Sequence, residues 1–154
     1  MIGGPTATGK SALGVQLARQ FNGEVINGDA FQIYRGMDIG TAKVTPAEMA
    51  GIPHHLIDIK DPGESFSAAQ FQRLAESAIK DLTRRGKLPI VVGGTGFYLN
   101  ALRLALPLGE HAASPVRTKW QQALAEHGPD WLWGQLAPRT RRRPVVSRWA
   151  ILGA

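Results

Sequence analysis

The sequence predicts an α/β domain in which a parallel sheet is flanked by helices, with the C-terminal part of the domain incomplete. Three observations support this fold class. Short apolar stretches alternate with longer ones in which apolar residues recur at helical spacing. The stretch 88–92 is apolar throughout, as in a strand that is buried on both faces of a parallel sheet. Glycine-rich turns follow two strands, where open α/β sheets place their functional loops.

The first part of the chain predicts three strands and one helix. Residues 1–2 are the short end of a first strand, and a second strand covers residues 24–27. Residues 10–21 between them predict a helix, and helical spacing assigns four residues to its buried face: Leu13, Leu17, Ala18 and Phe21. Residues 30–52 are expected to be mostly irregular. Residues 55–59 predict a third strand, which the turn at 61–63 ends.

The second part predicts two helices around the apolar strand 88–92. Ser67 is placed to cap a helix that runs to about Arg85. The buried stripe of this helix is expected at five positions: Phe71, Leu74, Ala75, Ala78 and Leu82. A further helix from Ser114 or Pro115 to His127 is expected to turn four residues inward: Val116, Trp120, Ala123 and Leu124.

Composition indicates a globular protein of the cytoplasm. Hydrophobic residues make up 44% of the chain and charged residues 19%. The sequence has no apolar run near the roughly 20 residues that a membrane span requires, and its first residues do not resemble a signal peptide. Cysteine is absent, which excludes disulfides and thiolate chemistry. We therefore expect a cytoplasmic protein without a membrane span.

The positive charge is concentrated at the end of the chain. The net charge is +6, and residues 137–154 contribute +5 through five arginines without any acid. Residues 1–136 hold 13 basic and 12 acidic residues. We therefore expect a domain over 1–136 and a separate basic tail over 137–154. The high isoelectric point describes the tail and does not by itself establish nucleic-acid binding.

Residues 4–11 match the phosphate-binding pattern G-x-x-x-x-G-K-[ST] without a mismatch. The backbone N–H groups of such a loop and the following helix dipole bind phosphate oxygens. Lys10 would neutralise phosphate charge, and the Ser11 hydroxyl would bind Mg²⁺. The predicted diphosphate- or nucleotide-binding residues are Gly4, Pro5, Thr6, Ala7, Thr8, Gly9, Lys10 and Ser11. Spacing alone favours a nucleoside triphosphate such as ATP as the ligand.

Three further features accompany this loop. Asp29 follows a strand end, where a carboxylate can bind Mg²⁺, act as a general base or cap a loop. Residues 93–96, Gly-Gly-Thr-Gly, form a second tight turn after a strand, and Thr95 either contributes to the site or caps the next helix. His54 and His55 are adjacent on an extended segment and point to opposite faces, which argues against a shared metal ion.

With these motifs placed, the chain resembles a tRNA dimethylallyltransferase of the isopentenyltransferase (IPP transferase) family, in a truncated form. The resemblance is carried by GPTATGKS (4–11), INGDAFQIYRGMDIGTAK (26–43), GIPHHLIDIKDP (51–62), FSAAQFQ (66–72) and GKLPIVVGGTGFYLNAL (86–102). These stretches occur in the family's order. A weaker similarity continues to about residue 136.

The resemblance implies a P-loop NTPase-like fold and a specific reaction. A dimethylallyl group passes from dimethylallyl diphosphate to the exocyclic N6 amine of an adenosine beside the tRNA anticodon, and pyrophosphate leaves. The implied catalytic residues are Asp29 as general base, with Lys10 and Thr95, and the implied cofactor is Mg²⁺ at Ser11. The enzyme is expected to act as a monomer.

The resemblance also assigns tRNA contacts to six residues, and the general base is one of them: Asp29, Ala30, Phe31, Gln32, Thr95 and Arg117. Family members usually carry Ser or Thr where this chain has Ala30, so one hydroxyl contact is missing there. The amide of Gln32 could pair with an adenine edge. The target base has to leave its stack to reach such a pocket.

Past residue 136 the resemblance ends, and we expect that the tail is not native family sequence, as after a shifted reading frame. With a short first strand as well, the isolated chain is expected to have little or no transfer activity.

Three alternative functions remain. The chain could be a small P-loop kinase that uses ATP, an isopentenyltransferase acting on a free nucleotide, or a non-catalytic remnant that binds phosphate or RNA.

Overall fold

The computed structural model describes residues 1–108 and 115–137 of the protein. The chain divides into two compact units, residues 1–110 and 111–154. The elements of the first unit are β1 (Ile2–Gly3), α1 (Lys10–Gln20), β2 (Gly23–Asn27), α2 (Pro46–Met49), β3 (His54–His55), α3 (Ala68–Arg84), β4 (Leu88–Gly93) and α4 (Gly96–Arg103). The described part of the second unit forms α5 (Pro115–Leu136). The predicted tail lies outside the described residues from 138 onward.

The four strands form one parallel sheet in the order β1-β4-β2-β3. Ile2 pairs with Val92 of β4, and Val25 of β2 pairs with Ile90 of β4. Because β4 lies between β1 and β2, the loops that follow these three strands meet at one edge of the sheet. The predicted class, a parallel sheet flanked by helices, is confirmed.

Helices cover both faces of the central strands. Ile26 and Val91 pack with α3 and α4 on one face, and Val25 and Ile90 pack with α1 on the other. Side chains of successive strand residues point to opposite faces, so a strand buried on both sides must be apolar at consecutive positions. All five residues of β2 are buried, which places it at the centre of the core.

The buried face of α1 differs from the predicted one. Gly14, Val15 and Ala18 are buried, whereas Leu13 and Phe21 are about half exposed. A Cβ atom on Gly14 would lie 2.7 Å from Val92 Cγ2, so the helix contacts the sheet through its small residues. Close approach through these residues turns the larger apolar side chains toward the helix margins. The prediction for Leu13 and Phe21 was therefore wrong.

Helix α3 begins as predicted but presents a slightly rotated stripe. Ser67 Oγ accepts from Gln70 N–H, and Gln70 Oε1 accepts from Ser67 N–H, which forms a capping box. Leu74 is 42% exposed, contrary to the prediction, and Ile79 packs against the core in its place. The reason is that Phe71 stacks on Tyr98 of α4, which fixes the rotation of the helix.

The segment between β2 and α3 contains less strand and more helix than predicted. The third strand is only His54–His55, not 55–59, and the chain then turns with positive φ at Leu56 and Asp58. Residues 46–49 form the short helix α2, which Thr45 and Glu48 cap reciprocally. Leucine rarely adopts positive φ, so local sequence gave no sign of the turn at Leu56, whereas aspartate is enriched in this conformation.

In the second unit, the first helical segment of α5 ends at His127, as predicted, and a second segment that was not predicted follows it. The backbone of Gly128 is non-helical, and Pro129 follows it, so two helical segments meet at a kink. Val116 is 60% exposed and was wrongly predicted to face inward. None of the helices in residues 1–108 and 115–137 has the length and apolar character that crossing a membrane requires.

A charged network lies at the amino end of β2. Glu24 is buried, and its carboxylate accepts from Arg85 Nη1 at 2.9 Å and Nη2 at 3.1 Å. His55 Nε2 lies 2.7 Å from Glu24 Oε2, and Arg85 Nε also donates to Asp81 at 2.8 Å. The hydrogen bonds from Arg85 lower the pKa of Glu24, burial opposes this shift, and His55 adds to it. The network joins α3 to the sheet at the end opposite the phosphate-binding loop.

We expect Glu24→Gln to lower the free energy of unfolding by about 1–3 kcal/mol at pH 7, because the half-exposed Arg85 guanidinium loses its buried anionic acceptor. The folded-state pKa of Glu24 is lowered, so its stabilisation is present above the unfolded value of about 4.5 and is lost as pH falls through the folded value. The difference between wild type and variant should therefore shrink with acidification. Urea unfolding at pH 7 and at pH 3–4 measures it, and a constant difference would contradict the assignment.

Candidate active site

The phosphate-binding loop joins β1 to α1. Gly9 adopts φ 78° and Ala7 φ 62°, and Thr8 Oγ1 donates to the Pro5 carbonyl at 2.9 Å. Lys10 Nζ donates to the same carbonyl and lies 3.5 Å from Thr8 Oγ1. These partners are oxygens of the loop itself, so the ammonium group can exchange them for phosphate oxygens. The loop has the backbone curl that the sequence motif predicted.

The amino end of α1 can accept an anion. Its N-cap residue is Gly9, which provides no side-chain cap, and its first turn contains no acidic residue. The N–H groups of the first turn therefore have no competing carboxylate, and the helix dipole adds positive potential. Ser11 lies in this turn and lines the cavity described below.

The turn that carries Asp29 is held by Asn27. Asn27 Oδ1 accepts from Asp29 N–H at 3.0 Å, and its amide donates to Asp29 O at 3.1 Å and to Leu56 O at 2.9 Å. Asp29 Oδ1 accepts from Phe31 N–H at 2.9 Å. Asn27 is 4% exposed, and every polar atom of its amide group has a partner. We did not predict a role for Asn27; the signal was a polar residue at the end of a strand, directly after the apolar Val25 and Ile26.

The Gly-Gly-Thr-Gly turn lies between the other two segments. A Cβ atom on Gly94 would lie 3.4 Å from Asp29 Oδ2 and 3.7 Å from Gly4 O. Thr95 precedes α4, but its side chain makes no capping hydrogen bond and instead accepts from Ala30 N–H at 2.9 Å. Thr95 therefore attaches the start of α4 to the Asp29 turn.

These segments enclose one cavity of about 280 Å³. Its wall combines residues 6–12 of the loop and α1 with residues at or just after the carboxyl ends of β2 and β4: Asn27, Asp29, Gln32, Val92, Gly93 and Gly94. The opposite wall was not predicted and consists of Thr41, Ala42 and Glu48. Six of the eight predicted phosphate-binding residues, 6–11, thus line the same cavity as Asp29 and Gln32, whereas Gly4 and Pro5 do not line it.

The two predicted tRNA-contact residues Phe31 and Gln32 differ in how open they are to a ligand. Phe31 is 60% exposed beside the cavity, so its ring is open to a ligand. Gln32 lines the cavity but donates its amide N–H groups to the carbonyls of Thr41 and Ala42, at 3.3 and 3.2 Å. An amide has two N–H donors, so bidentate pairing with an adenine edge would require breaking one of these bonds. Arg117 lies exposed on α5 in the second unit.

The donor set at the cavity suits a hard cation more than a soft one. Ser11 and Asp29 provide oxygen atoms, which Mg²⁺ prefers. Within residues 1–108 and 115–137, no cluster of three or more His, Asp or Glu side chains could hold a metal by itself. His54 Nδ1 contacts the Ile52 carbonyl at 2.8 Å, and His55 pairs with Glu24. A cation in the cavity would therefore need further oxygen ligands, from water or from a bound phosphate compound.

Comparison with known proteins gives consistent results. The family model described as IPP transferase matches residues 32–143, a range that extends past the boundary predicted after residue 136. A tRNA dimethylallyltransferase from Lacticaseibacillus casei is 62% identical over 140 residues, which cover 90% of this chain and 45% of that protein. A tRNA dimethylallyltransferase from Bacillus subtilis is 51% identical over 135 residues, covering 87% of this chain and 43% of that protein. The chain thus spans about half the length of the curated relatives it matches.

Solved structures show the same similarity. The full-length tRNA isopentenylpyrophosphate transferase from Bacillus halodurans superposes with a TM-score of 0.69 at 50% identity, covering 92% of this chain and 47% of that one. A eukaryotic dimethylallyltransferase acting on tRNA superposes with a TM-score of 0.64 at 37% identity, over 85% of this chain and 36% of that one. The match of the family model over most of the chain, together with these relatives, shows that the chain belongs to the IPP transferase family.

Proposed function

We propose that the chain forms the diphosphate- and acceptor-binding core for transfer of a dimethylallyl group from dimethylallyl diphosphate to the N6 amine of an adenosine beside a tRNA anticodon. The names of its relatives support a tRNA acceptor and a dimethylallyl or isopentenyl pyrophosphate donor. The observation that carries the proposal is the shared cavity, in which a carboxylate, Asp29, faces a phosphate-binding loop across Gly94. With a tRNA as acceptor, the proposal places the chain in the cytoplasm. It also includes action as a monomer.

The phosphate-binding loop would stabilise the leaving group. Loop N–H groups, the amino end of α1 and Lys10 bind the diphosphate as the C–O bond of the allylic carbon breaks and its electron pair leaves with pyrophosphate. Bound Mg²⁺, held by Ser11 and by diphosphate oxygens, would supply further charge neutralisation. The allylic cation is delocalised, so departure of the diphosphate requires mainly electrostatic stabilisation of the negative charge.

Asp29 would act on the acceptor. The N6 amine is a weak nucleophile because its lone pair is conjugated with the adenine ring. As its nitrogen bonds to the allylic carbon, Asp29 takes one N–H proton. Asn27 and the Phe31 N–H orient this carboxylate. The Gln32 carbonyl oxygen can accept the second N–H of the amine.

The remaining assigned residues would contact the RNA around the target base. The exposed ring of Phe31 can stack on an unpaired base. Thr95 acts through its bond to Ala30, and its hydroxyl hydrogen can still donate to the RNA. We also assign to Arg117 a contact with an RNA phosphate, which its guanidinium group suits.

The test combines the protein with dimethylallyl diphosphate, Mg²⁺ and an anticodon stem-loop RNA that carries adenosine beside the anticodon. Because this chain spans 47% of the full-length Bacillus halodurans relative, we expect pyrophosphate release and an RNA mass increased by one dimethylallyl group only at a rate far below that of the relative. An RNA with guanosine at that position is the matched control, and the full-length Bacillus halodurans relative is the assay control. A P-loop kinase would instead release ADP from ATP. ADP release without prenylated RNA would overturn the proposal.

Lys10→Ala is expected to weaken binding of pyrophosphate in the presence of Mg²⁺ by about 10- to 150-fold, the equivalent of one hydrogen bond to a charged group. Calorimetric titration measures the affinity. The control is Lys87→Ala, because Lys87 Nζ donates to Asn22 Oδ1 at 2.5 Å, away from the cavity. Equal affinities of the two variants would mean that the lysine of the motif does not bind the diphosphate.

A further inference from the structure

Lys43 is a buried cation that neither the phosphate-binding motif nor the proposed chemistry uses. Its side chain is 5% exposed. Its ammonium group donates to Tyr34 O at 2.6 Å, Asp38 Oδ1 at 2.7 Å and Asp58 Oδ1 at 2.6 Å. An ammonium has three donors, so these oxygens satisfy it completely. Burial lowers the pKa of Lys43 and the two carboxylates raise it, with a net upward direction, so the group stays charged.

The three acceptors belong to two separate chain segments. Tyr34 and Asp38 lie in the loop 34–43, and Asp58 lies in the segment 58–60. Backbone bonds already join the base of the loop to that segment, from Arg35 N to Lys60 O at 2.8 Å and from Lys60 N to Ile33 O at 3.0 Å. Lys43 connects the C-terminal end of the loop to the same segment, through Asp58.

The loop end that Lys43 fixes is the unpredicted wall of the cavity. Thr41 and Ala42 line the cavity, and their carbonyls accept the amide N–H groups of Gln32. Ala42 has a left-handed backbone with φ 47°, which a non-glycine residue adopts only when its surroundings hold it there. The next residue is Lys43, whose own N–H donates to Asp38 O at 3.0 Å. The ammonium and this backbone bond together hold the strained turn.

We propose that Lys43 is a positioning residue for the RNA acceptor, which acts by holding Thr41, Ala42 and Gln32 against the phosphate-binding loop. This inference rests on the proposed function for the identity of the acceptor. Lys43 does not line the cavity, so it acts only through the residues that it holds. The phosphate-binding loop has its own scaffold in β1, α1 and the Gly-Gly-Thr-Gly turn, so the role of Lys43 is confined to the acceptor side.

The test compares Lys43→Met with Lys60→Met. Both substitutions remove an ammonium group from the same region, but the Lys60 side chain is 27% exposed, against 5% for Lys43, and pairs with Glu64 at 2.6 Å. For Lys43→Met we expect amide hydrogen exchange in residues 38–43 to be at least about tenfold faster, with exchange in β4 unchanged. We expect affinity for anticodon stem-loop RNA to fall about tenfold and affinity for pyrophosphate to change by less than about twofold. Lys60→Met should change none of these.

A milder variant, Asp58→Asn, keeps the ammonium group and is used if Lys43→Met does not fold. It should produce the same pattern with smaller changes. Unchanged exchange in residues 38–43 would overturn the proposal. So would equal losses of RNA and pyrophosphate affinity, because they would show a general stabilising role. A third outcome is faster exchange in residues 38–43 together with a wild type that binds no RNA. The role of Lys43 in holding the loop would then stand, but its assignment to an RNA acceptor would be overturned. The proposed function would fail in the same experiment, independently of the loop result.

Discussion

Replacing Asp29 by Asn is expected to slow dimethylallyl transfer by about 10²- to 10⁴-fold, the usual contribution of a general base, while pyrophosphate affinity changes by less than about threefold. Asn keeps the shape of the side chain and can still accept from Phe31 N–H, but it cannot take the proton of the N6 amine. Asn27 still holds the turn through backbone atoms of residue 29. The substitution therefore removes the base with little change in geometry. Single-turnover transfer with labelled dimethylallyl diphosphate measures the rate.

The control is Asp61→Asn, which also removes one carboxylate. Asp61 is 67% exposed and pairs with Arg35 at 2.8 Å, outside the cavity wall. We expect this variant to transfer at close to the wild-type rate. A rate loss for Asp29→Asn of less than about tenfold would exclude Asp29 as the general base. A parallel loss of pyrophosphate binding would instead assign Asp29 to the metal or the diphosphate.

Gly93→Ala is expected to lower the free energy of unfolding by about 3 kcal/mol or more. A Cβ atom at Gly93 would lie 2.2 Å from Gly28 O and 2.3 Å from Gly28 C. Both atoms are backbone, so no side chain can rotate away. Relief would require β2 and β4 to separate where Gly28 N–H donates to Val92 O at 2.8 Å. The lost strand contact would also open the cavity between Asp29 and the phosphate-binding loop.

The matched control is Gly96→Ala, three residues further along the same turn. No atom lies within 4 Å of a Cβ built at Gly96, and alanine favours the helix that begins there. Urea unfolding followed by far-UV circular dichroism measures both variants. Circular dichroism is preferred to tryptophan fluorescence because all four tryptophans lie in residues 111–154, outside the unit that contains the sheet. Equal stabilities of the two variants would contradict the predicted clash.

Local sequence predicted the elements that a repeating pattern or a capping residue defines. The start of α3 followed from Ser67, and the buried strand β4 followed from its continuous apolar character. Errors arose where packing selects among apolar residues. Leu13 and Leu74 are of the right type and near the right face, but the close approach of Gly14 to Val92 and the stacking of Phe71 on Tyr98 set the helix rotations. Periodicity defines a face only to within about one residue's rotation.

The candidate site likewise has features that local sequence predicts and features that depend on tertiary packing. The sequence by itself determined the backbone curl of the predicted phosphate-binding loop, because its glycines, Lys10 and Ser11 are neighbours in the chain and their geometry is local. It also placed Asp29 at a strand end. Only the tertiary structure decided what surrounds Asp29: Asn27 reaches Leu56, Thr95 reaches Ala30, and Lys43 reaches Asp58. These partners come together because β4 lies between β1 and β2 in the sheet. Packing of the whole core selects this strand order, so it cannot be predicted from the spacing of residues along the chain.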